Sequence, residues 1–498
     1  MPNLLAIDQG TSSSRAIVFD HEGKALGSAQ REFDQLFPRD GWVEHDPETI
    51  WATVLEVGRA ALAAAGIAAR ELAGIGITNQ RETTLVWDAE TGRAHHNAIV
   101  WQDRRTAERC DRLRADPFAA EIVARTGLVI DPYFSGTKLE WLLDNVPGLR
   151  ARADRGDVRF GTVDSFLIWR LTGGKRHATD ATNASRTQLY GLARGDWDDD
   201  LLRHFRVPRC VLPAVLDSVA DFGRAEARWF GAEVPIFGVA GDQQAALIGQ
   251  GCTAPGMTKS TYGTGCFVVT NTGDARVVSR EGLLTTVGYR VAGKTTFAVE
   301  GSIFVAGAAV KWLRDKLAVV ASAADTERAA RAVGADAGGV YVVPAFTGYG
   351  APHWRPDARG LICGLTLDSS RDDIATATLA SVGYQTADLL AALARDGAPV
   401  TRLRVDGGMV VNDWLCQFIA DVTGVPVERP VVTETTALGA AMLAAVGAGV
   451  VPSLENASSL WRRERGFEPK MGADTRRRLT AGWQAAVART LGRPVDGA

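Results

Sequence analysis

A loop near the N-terminus combines residue types that can bind phosphate. An apolar run from Leu4 to Ile7 leads into Asp-Gln-Gly-Thr-Ser-Ser-Ser-Arg at positions 8–15, and a second apolar run continues to Phe19. Backbone N–H groups around a glycine, together with neighbouring hydroxyls, can surround phosphate oxygens. Asp8, at the end of the first run, could hold Mg²⁺ through water. The same residues also fit an ordinary hairpin turn, so the loop alone leaves both interpretations open.

A carboxylate follows another predicted strand near the middle of the chain. The apolar run from Ile236 to Ala240 ends in Gly-Asp-Gln-Gln at positions 241–244. A carboxylate at the end of a strand can act as a general base that accepts the proton of an attacking hydroxyl. Aspartate is also a favoured helix N-cap, and the two roles are compatible. Asp242 is therefore a candidate base, and the N-cap is its structural alternative.

Two further glycine-rich segments border predicted strands. Gly-Thr-Gly at 263–265 precedes the apolar run Cys266 to Val269, and Gly-Gly at 407–408 follows the strand Leu403 to Asp406. Glycine at such places lets the backbone approach a ligand closely, but it also forms tight turns. Each of the two segments by itself could be a ligand-binding loop or an ordinary tight turn.

One apparent phosphate motif is rejected. Residues 288–295, Gly-Tyr-Arg-Val-Ala-Gly-Lys-Thr, match the P-loop pattern in letters. A P-loop needs a strand before it and a helix after it, so that the helix N-terminus meets the phosphate. Here the β-prone run Thr296 to Val299 follows instead. We predict a hairpin with its tip at 292–294.

The elements that must position these loops form a repeated pattern. Strands alternate with helices, which favours an α/β fold; one helix is predicted to begin at Asp46-Pro47 and to end at Gly66. A chain of 498 residues exceeds a single hydrophobic core. Near residue 250 a Gly/Thr bend again lies next to a strand, as at the N-terminus. We therefore predict two topologically similar lobes, residues 1–250 and 251–498.

Composition excludes several classes of function. The formal charge of −3, from 55 Lys+Arg and 58 Asp+Glu, argues against broad nucleic-acid binding, and no segment resembles a basic arm. The six cysteines show no Cys-x-x-Cys pair, so we expect reduced thiols rather than a zinc site. The uncharged apolar stretch 437–452, rich in Ala and Gly, is shorter than the ~20 residues needed to span a bilayer and is predicted to be a packed helix. Residues 1–20 lack the pattern of a signal peptide, and we expect a cytoplasmic protein without membrane insertion.

Taken together, these segments resemble the FGGY carbohydrate kinases of the actin/Hsp70/sugar-kinase superfamily, and within that family the members that act on glycerol. The similarity runs from Leu4 to about the last 30 residues. It is carried by residues 8–15, 76–84 (Gly-Ile-Thr-Asn-Gln-Arg-Glu-Thr-Thr), 101–102 (Trp-Gln), 131–138 (Asp-Pro-Tyr-Phe-Ser-Gly-Thr-Lys), 241–244, 262–267 (Tyr-Gly-Thr-Gly-Cys-Phe) and 405–408. The resemblance implies two actin-like (ribonuclease H-like) ATPase lobes with a central cleft.

The resemblance also implies a role for individual residues. The polyol would be bound by Arg81, Glu82, Tyr133, Asp242 and Gln243, with Trp101 and Phe267 packing on its carbon skeleton. Asp242 would be the catalytic base and Asp8 would organise Mg²⁺. The nucleotide would be contacted by Thr11, Ser12, Ser13, Arg15, Thr264, Gly307, Gly408 and Asn412. Many relatives have glutamine where this chain has Lys311, a cation that could lie near phosphate. On sequence position alone, Arg81 and Glu82 would instead form a surface ion pair, and Trp101 and Phe267 would be core residues.

The activity implied by the resemblance is transfer of the γ-phosphoryl group of ATP to glycerol, with Mg²⁺ as the metal. A homodimer or homotetramer is expected by resemblance only. Two rival functions remain open at this stage. One is an FGGY kinase for a larger acceptor such as xylulose or gluconate, and the other is a non-catalytic nucleotide-binding sensor on the same fold. A non-catalytic sensor would be expected to have lost site residues, but Asp8, Asp242 and the glycines are all present, which argues against this second function.

Overall fold

The structure is a computed structural model that describes residues 2–355 and 357–492. Its strands, in chain order, are β1 (Asn3–Gln9), β2 (Ser13–Phe19), β3 (Ala25–Glu32), β4 (Glu44–His45), β5 (Leu72–Asn79), β6 (Leu85–Asp88), β7 (Ala98–Ile99), β8 (Val158–Gly161), β9 (Ala178–Asp180), β10 (Tyr190–Gly191), β11 (Asp196–Trp197), β12 (Ala214–Leu216), β13 (Arg224–Ala225), β14 (Val234–Gly241), β15 (Met257–Tyr262), β16 (Cys266–Gly273), β17 (Leu284–Val291), β18 (Lys294–Ile303), β19 (Tyr341–Val343), β20 (Leu361–Cys363), β21 (Arg402–Asp406), β22 (Val427–Pro430) and β23 (Arg463–Phe467).

The α-helices, also in chain order, are α1 (Pro47–Ala65), α2 (Ala107–Arg114), α3 (Ala119–Thr126), α4 (Ser135–Asn145), α5 (Leu149–Asp154), α6 (Val163–Leu171), α7 (Ala181–Ala184), α8 (Asp199–His204), α9 (Ala227–Phe230), α10 (Asp242–Gly249), α11 (Gly307–Asp315), α12 (Ala323–Val333), α13 (Arg371–Arg395), α14 (Asp413–Thr423), α15 (Thr435–Gly447), α16 (Leu454–Ala457) and α17 (Ala473–Thr490). Short 3₁₀ turns occur at Ala69–Glu71, Arg209–Val211, Ala337–Gly339, Gly408–Val411 and Ser458–Leu460. None of these helices is long and apolar enough to cross a membrane.

Two large sheets with the same internal arrangement organise the chain. In the first, of order β13-β14-β5-β1-β2-β3, an antiparallel meander of β1, β2 and β3 continues into the parallel strands β5 and β14. In the second, of order β17-β18-β16-β15-β21-β22-β23, the antiparallel strands β15, β16 and β18 continue into the parallel strands β21 and β22. The prediction of an α/β fold with a topological repeat is confirmed.

Local sequence signals explain several of these elements. Asp46 caps α1 by accepting from the N–H groups of Glu48 and Thr49, and Gly66 ends the helix in the left-handed conformation. The predicted hairpin at 292–294 also forms, because β17 and β18 pair up to Val291 and Lys294 and the turn residues Ala292 and Gly293 have positive φ. The rejected P-loop match is thus a β-hairpin.

Helix α15 packs its small residues directly on the first sheet, although it belongs to the second half of the chain. A Cβ added to Gly76 in β5 would lie 2.0 Å from the carbonyl oxygen of Ala440 in α15. At the crossing of α15 with α10, a Cβ on Gly439 would lie 1.8 Å from the carbonyl oxygen of Ala245. The predicted packed helix is therefore confirmed for residues 437–447, whereas 448–452 lie beyond the end of α15. The helix joins the two halves.

Gly76→Ala should lower the stability of the protein. The added methyl group cannot be accommodated without moving α15 off β5, and overpacking of this kind costs about 1–3 kcal/mol. Chemical denaturation would measure the change in the free energy of unfolding. Gly472→Ala is a matched control, since a Cβ there has no heavy atom within 4 Å. Equal stability of the two variants would contradict the close packing of α15 on the sheet.

Candidate active site

The loops singled out in the sequence meet at one edge of the first sheet. Strands β1, β5 and β14 are parallel, and their C-terminal ends lie side by side: Asp8 pairs with Thr78, and Gly241 with Asn79. Ligands of open α/β sheets bind outside the carboxyl ends of such strands. Three segments follow these strand ends in the chain: the loop at 10–15 (the phosphate loop) after β1, the segment 80–84 after β5, and Asp242 after β14. Topology alone thus brings three distant segments together.

A buried ion cluster lies beside this edge. Nη1 of Arg81 contacts Oε2 of Glu300 at 2.5 Å. Arg186 donates from Nε to Oε1 of Glu82 at 2.6 Å and from Nη2 to Oε1 of Glu300 at 3.0 Å. All four side chains are at most 2% exposed, so Arg81 and Glu82 are not the surface ion pair that sequence position alone favoured. Because Glu300 belongs to β18, the cluster links the first sheet to the second.

Ionisation within the cluster is uneven. Burial opposes the charge of Glu300, but Arg186 and Arg81 together outweigh it and lower the pKa of Glu300 to about 2. For Glu82 burial dominates over the same two arginines, and its pKa is raised. Glu300 is therefore the firmly charged carboxylate that holds both guanidinium groups in place.

Asp242 stands at the rim of the cluster. It is the first residue of α10, whose N-cap is Gly241, so the N-cap alternative for Asp242 is wrong. Its Oδ1 accepts from the backbone N–H of Gln243 at 2.7 Å and contacts Nε of Arg81 at 3.1 Å. The side chain is 30% exposed, which leaves it accessible to a substrate. Burial raises its pKa, against the opposing charges of Arg81 and Lys259.

Asp8 lies close enough to Asp242 for the two charges to interact. Burial, followed by the charge of Asp242, raises the pKa of Asp8 to about 7, and Arg15 opposes both effects. A divalent cation would relieve this repulsion and favour the ionised form of both groups. The donor chemistry at Asp8 therefore fits Mg²⁺, a hard cation that prefers carboxylate and water oxygens.

The phosphate loop is held from several sides. The Gly10 N–H donates to the Ser13 carbonyl at 2.9 Å, which closes the bend between β1 and β2. Ser13 Oγ accepts from Gln30 Nε2 at 3.0 Å, while Ser12 is exposed. Arg15 is bound to Gln30 at 2.7 Å and forms an ion pair with Glu434 of the second half. The position of Arg15 therefore depends on both halves of the chain.

Aromatic residues connect the loop to the ion cluster. Trp101 donates from Nε1 to Thr11 Oγ1 at 2.9 Å, and its ring meets that of Tyr133 edge to face at 5.6 Å. The Tyr133 hydroxyl in turn accepts from Nη2 of Arg81 at 3.4 Å. Phe267 is half-buried on β16, between Thr261 in β15 and Ser302 in β18. The structure thus brings Trp101 and Tyr133 together with Arg81, and it places Phe267 on the second sheet.

Trp101→Phe should lower kcat/KM about 2- to 10-fold. The ring is kept, but the loss of one hydrogen bond to Thr11, worth about 0.5–1.5 kcal/mol, loosens the phosphate loop. Trp197→Phe is a matched control because its Nε1 donates to the carbonyl of Pro213, away from this edge. Steady-state kinetics should show no effect in the control. Equal kinetics in the two variants would remove the Trp101–Thr11 contact from the site.

The remaining predicted nucleotide residues surround a cavity of about 400 Å³ on the second half. Its lining includes Gly307, Lys311, Gly408 and Asn412. Thr264 adjoins it, since its carbonyl accepts from the N–H of Ala306, the residue before Gly307, at 2.9 Å. Asn412 uses Oδ1 to cap α14, so its Nδ2 is the group available to a ligand. A larger cavity of about 560 Å³ lies between α2 and α4 and contains none of the predicted site residues.

Comparison with protein families decides the affiliation of the chain. The N-terminal domain model of the FGGY family of carbohydrate kinases matches residues 3–249, and the C-terminal domain model matches residues 258–448. The chain belongs to the FGGY family of carbohydrate kinases. The predicted family and the actin-like two-lobed fold are thereby confirmed.

Relatives within the FGGY family are similar along the whole chain. Glycerol kinase 1 of Pseudomonas aeruginosa is 60% identical over 486 residues, 98% of each chain. The glycerol kinase of Ectopseudomonas mendocina is 60% identical over 487 residues, again 98% of each chain. The crystal structure of Plasmodium falciparum glycerol kinase with ADP superposes with a TM-score of 0.92 at 35% identity, covering 99% of this chain and 98% of that one. A xylulose kinase from Lactobacillus acidophilus, at 21% identity and a TM-score of 0.90, shows the fold alone.

Three charged residues of the candidate site were not predicted from the sequence. Glu300 lies in an apolar part of β18, Arg186 follows α7, and Lys259 is central in β15. All three are completely buried. A charged residue inside a β-prone run is the one signal that could have indicated Glu300 and Lys259, because such residues are almost never buried unless paired. Arg186, in Asn-Ala-Ser-Arg-Thr, carries no comparable signal.

Proposed function

We propose that this FGGY kinase transfers the γ-phosphoryl group of ATP to a terminal hydroxyl of glycerol, giving sn-glycerol 3-phosphate and ADP. The observation that carries the proposal is the contact of Arg81 with both Asp242 and Tyr133. These contacts support the proposal because Asp242, the candidate base, lies beside groups that could bind the hydroxyls of a small neutral polyol. The 60% identity to proteins named glycerol kinase supports glycerol as that polyol.

In this mechanism Asp242 acts as the general base. As the hydroxyl oxygen of glycerol attacks the γ-phosphorus, its proton passes to Asp242, and the bond to the ADP oxygen breaks. Oδ1 of Asp242 is already engaged by Gln243 and Arg81, so Oδ2 is the oxygen that takes the proton. Arg81 and Glu82 orient the remaining hydroxyls, and Trp101 and Phe267 cover the carbon skeleton. Positioning and charge supply most of the catalysis in phosphoryl transfer.

The phosphates are assigned to the phosphate loop and to the second half. Thr11, Ser12 and Ser13 offer hydroxyls at the end of β1, and Arg15 offers a cation. Gly307, Lys311, Gly408 and Asn412 line the cavity proposed for the nucleoside part. Asp8 would hold Mg²⁺ through water, and the bound ion would neutralise charge on the phosphate oxygens. Closure of the two lobes would exclude water, which otherwise competes as acceptor.

A panel of acceptors tests the proposal directly. The purified protein would be incubated with labelled ATP, Mg²⁺ and, separately, glycerol, xylulose, gluconate and no acceptor. We expect glycerol to give the highest kcat/KM, with sn-glycerol 3-phosphate as the product. A preference for xylulose or gluconate would place this chain among the kinases of larger acceptors, and ATP binding without transfer to any acceptor would indicate a nucleotide sensor.

Two further expectations belong to the same proposal. ATP and glycerol metabolism support a cytoplasmic location. A homodimer or homotetramer stays a prediction from family resemblance, and light scattering of the purified protein would measure it.

A further inference from the structure

Lys259 is a buried cation that the mechanism above does not use. It lies in the middle of β15, and its side chain is fully buried. Its Nζ donates to Oε1 of Gln243 and, at 3.0 Å, to Oγ1 of Thr261. The pKa of Lys259 is lowered, because burial outweighs the charges of Asp406, Glu300 and Asp242, which raise it. Burying a cation costs desolvation free energy, so we expect Lys259 to have a specific role.

The charge of Lys259 acts on Asp242 as well as on the ion cluster, since both Glu300 and Asp242 raise its pKa. Within the cluster, two guanidinium groups already face the two carboxylates of Glu82 and Glu300. Asp242 is an additional carboxylate at its rim, and after Arg81 the cation that most favours its ionised form is Lys259. Its hydrogen bond to Gln243 puts Lys259 next to the start of α10, where Asp242 and Gln243 lie.

The contact with Lys259 decides which way the Gln243 amide faces. An ammonium group has donors only, so the atom that meets Nζ must be the carbonyl oxygen of the amide. The NH₂ group of Gln243 is then directed away from Lys259. Without Lys259 the amide could rotate by half a turn and present an acceptor where it now presents a donor.

We propose that Lys259 is a positioning residue, which fixes the Gln243 amide so that its NH₂ group donates a hydrogen bond to a hydroxyl oxygen of the acceptor. This inference rests on the proposed function, in which Gln243 contacts the polyol. Through this contact, strand β15 of the second sheet determines which hydrogen-bonding group of Gln243 faces a substrate bound at the edge of the first sheet. Lys259 thus acts on specificity through Gln243, without itself touching the substrate.

A double-mutant cycle tests the coupling. Lys259→Met keeps the length of the side chain and removes its charge and donors; Gln243→Ala removes the amide. We expect either change to raise the KM for glycerol about 10-fold or more. Lys259→Met removes a charged hydrogen bond that positions Gln243, and Gln243→Ala removes the hydrogen bond to the substrate; a loss of this kind usually has an effect of this size. The KM for ATP should stay within about twofold. The double variant should lie within about threefold of Gln243→Ala, because both changes remove the same contact.

The cycle has a matched control and a clear contrary result. Lys294→Met removes an exposed lysine at the tip of the β17–β18 hairpin and should leave both KM values unchanged. Multiplicative effects in the double variant, or a rise in the KM for ATP equal to that for glycerol, would show that Lys259 serves only the fold and would overturn the proposal.

A second variant covers the case in which Lys259→Met does not fold. Gln243→Glu keeps an acceptor for Lys259 and forms an ion pair, so thermal unfolding should begin no earlier than in the wild type. It has no N–H to offer, so we expect the KM for glycerol to rise about 10-fold or more. A wild-type KM in Gln243→Glu would show that the donor is not needed and would refute the role of Lys259.

The outcome is separable from a failure of the proposed function. Wild-type protein that prefers another acceptor contradicts glycerol as the substrate, and the same cycle would then be measured with that acceptor. Coupling of Lys259 and Gln243 in that assay would still support the positioning role, whereas its absence would refute it.

Discussion

Asp242→Asn should lower kcat by about 10²–10⁴, the contribution expected of a positioned general base. Asparagine has the same shape as aspartate, and its Oδ1 can still accept from the Gln243 N–H, but its amide cannot take a proton from the attacking hydroxyl. Glycerol and ATP should therefore still bind. Single-turnover kinetics would separate this loss of chemistry from a loss of binding, and near-normal turnover would remove Asp242 from its role.

Wild-type and variant should also differ in their dependence on pH. Burial raises the pKa of Asp242 above its usual value of 3.8, and a base is active only when deprotonated. The kcat/KM of the wild type should therefore fall on the acidic side at a pH above the range of an ordinary aspartate. In Asp242→Asn, kcat/KM should not show this fall at acidic pH. Asp274→Asn, which changes an exposed aspartate, should keep the wild-type profile.

The elements around Asp242 could be predicted because their signals are local. The Gly/Thr/Ser bend after β1, the Asp46 cap and the hairpin tip at 292–294 each follow from the backbone preferences of a few adjacent residues. The end of β14 was likewise apparent from its apolar run. Since parallel strands place their C-terminal ends at one edge, the approach of Asp8 to Asp242 follows from fold class alone.

What could not be predicted depends on contacts between distant segments. The Ala- and Gly-rich stretch around Gly439 indicated a buried helix, but not that it lies on the first sheet. Glu300 and Lys259 face the site because of the register of β18 and β15, which a single sequence does not reveal. Family resemblance supplied Arg81 and Glu82, whereas the partners that fix them came only from the structure.

Arg81→Ala should damage both stability and catalysis, because Arg81 is the common partner of several site residues. Its guanidinium contacts Glu300 and Asp242 and donates to Tyr133 and to Gln244 Oε1 at 3.2 Å. Removing one partner of a buried ion pair costs about 3–5 kcal/mol, since the other charge is left uncompensated. We therefore expect a loss of this size in the free energy of unfolding, which is more than one charged hydrogen bond to a substrate would contribute.

Chemical denaturation and steady-state kinetics of Arg81→Ala together distinguish a structural from a binding role. Arg70→Ala, which removes an exposed arginine preceding β5, is the matched control and should change the free energy of unfolding little. If Arg81 only bound the polyol, its loss would raise the KM for glycerol and leave the stability at the control value. A parallel fall in stability, in kcat and in affinity for glycerol would instead show that one guanidinium both holds the two halves together through Glu300 and sets the position of the base.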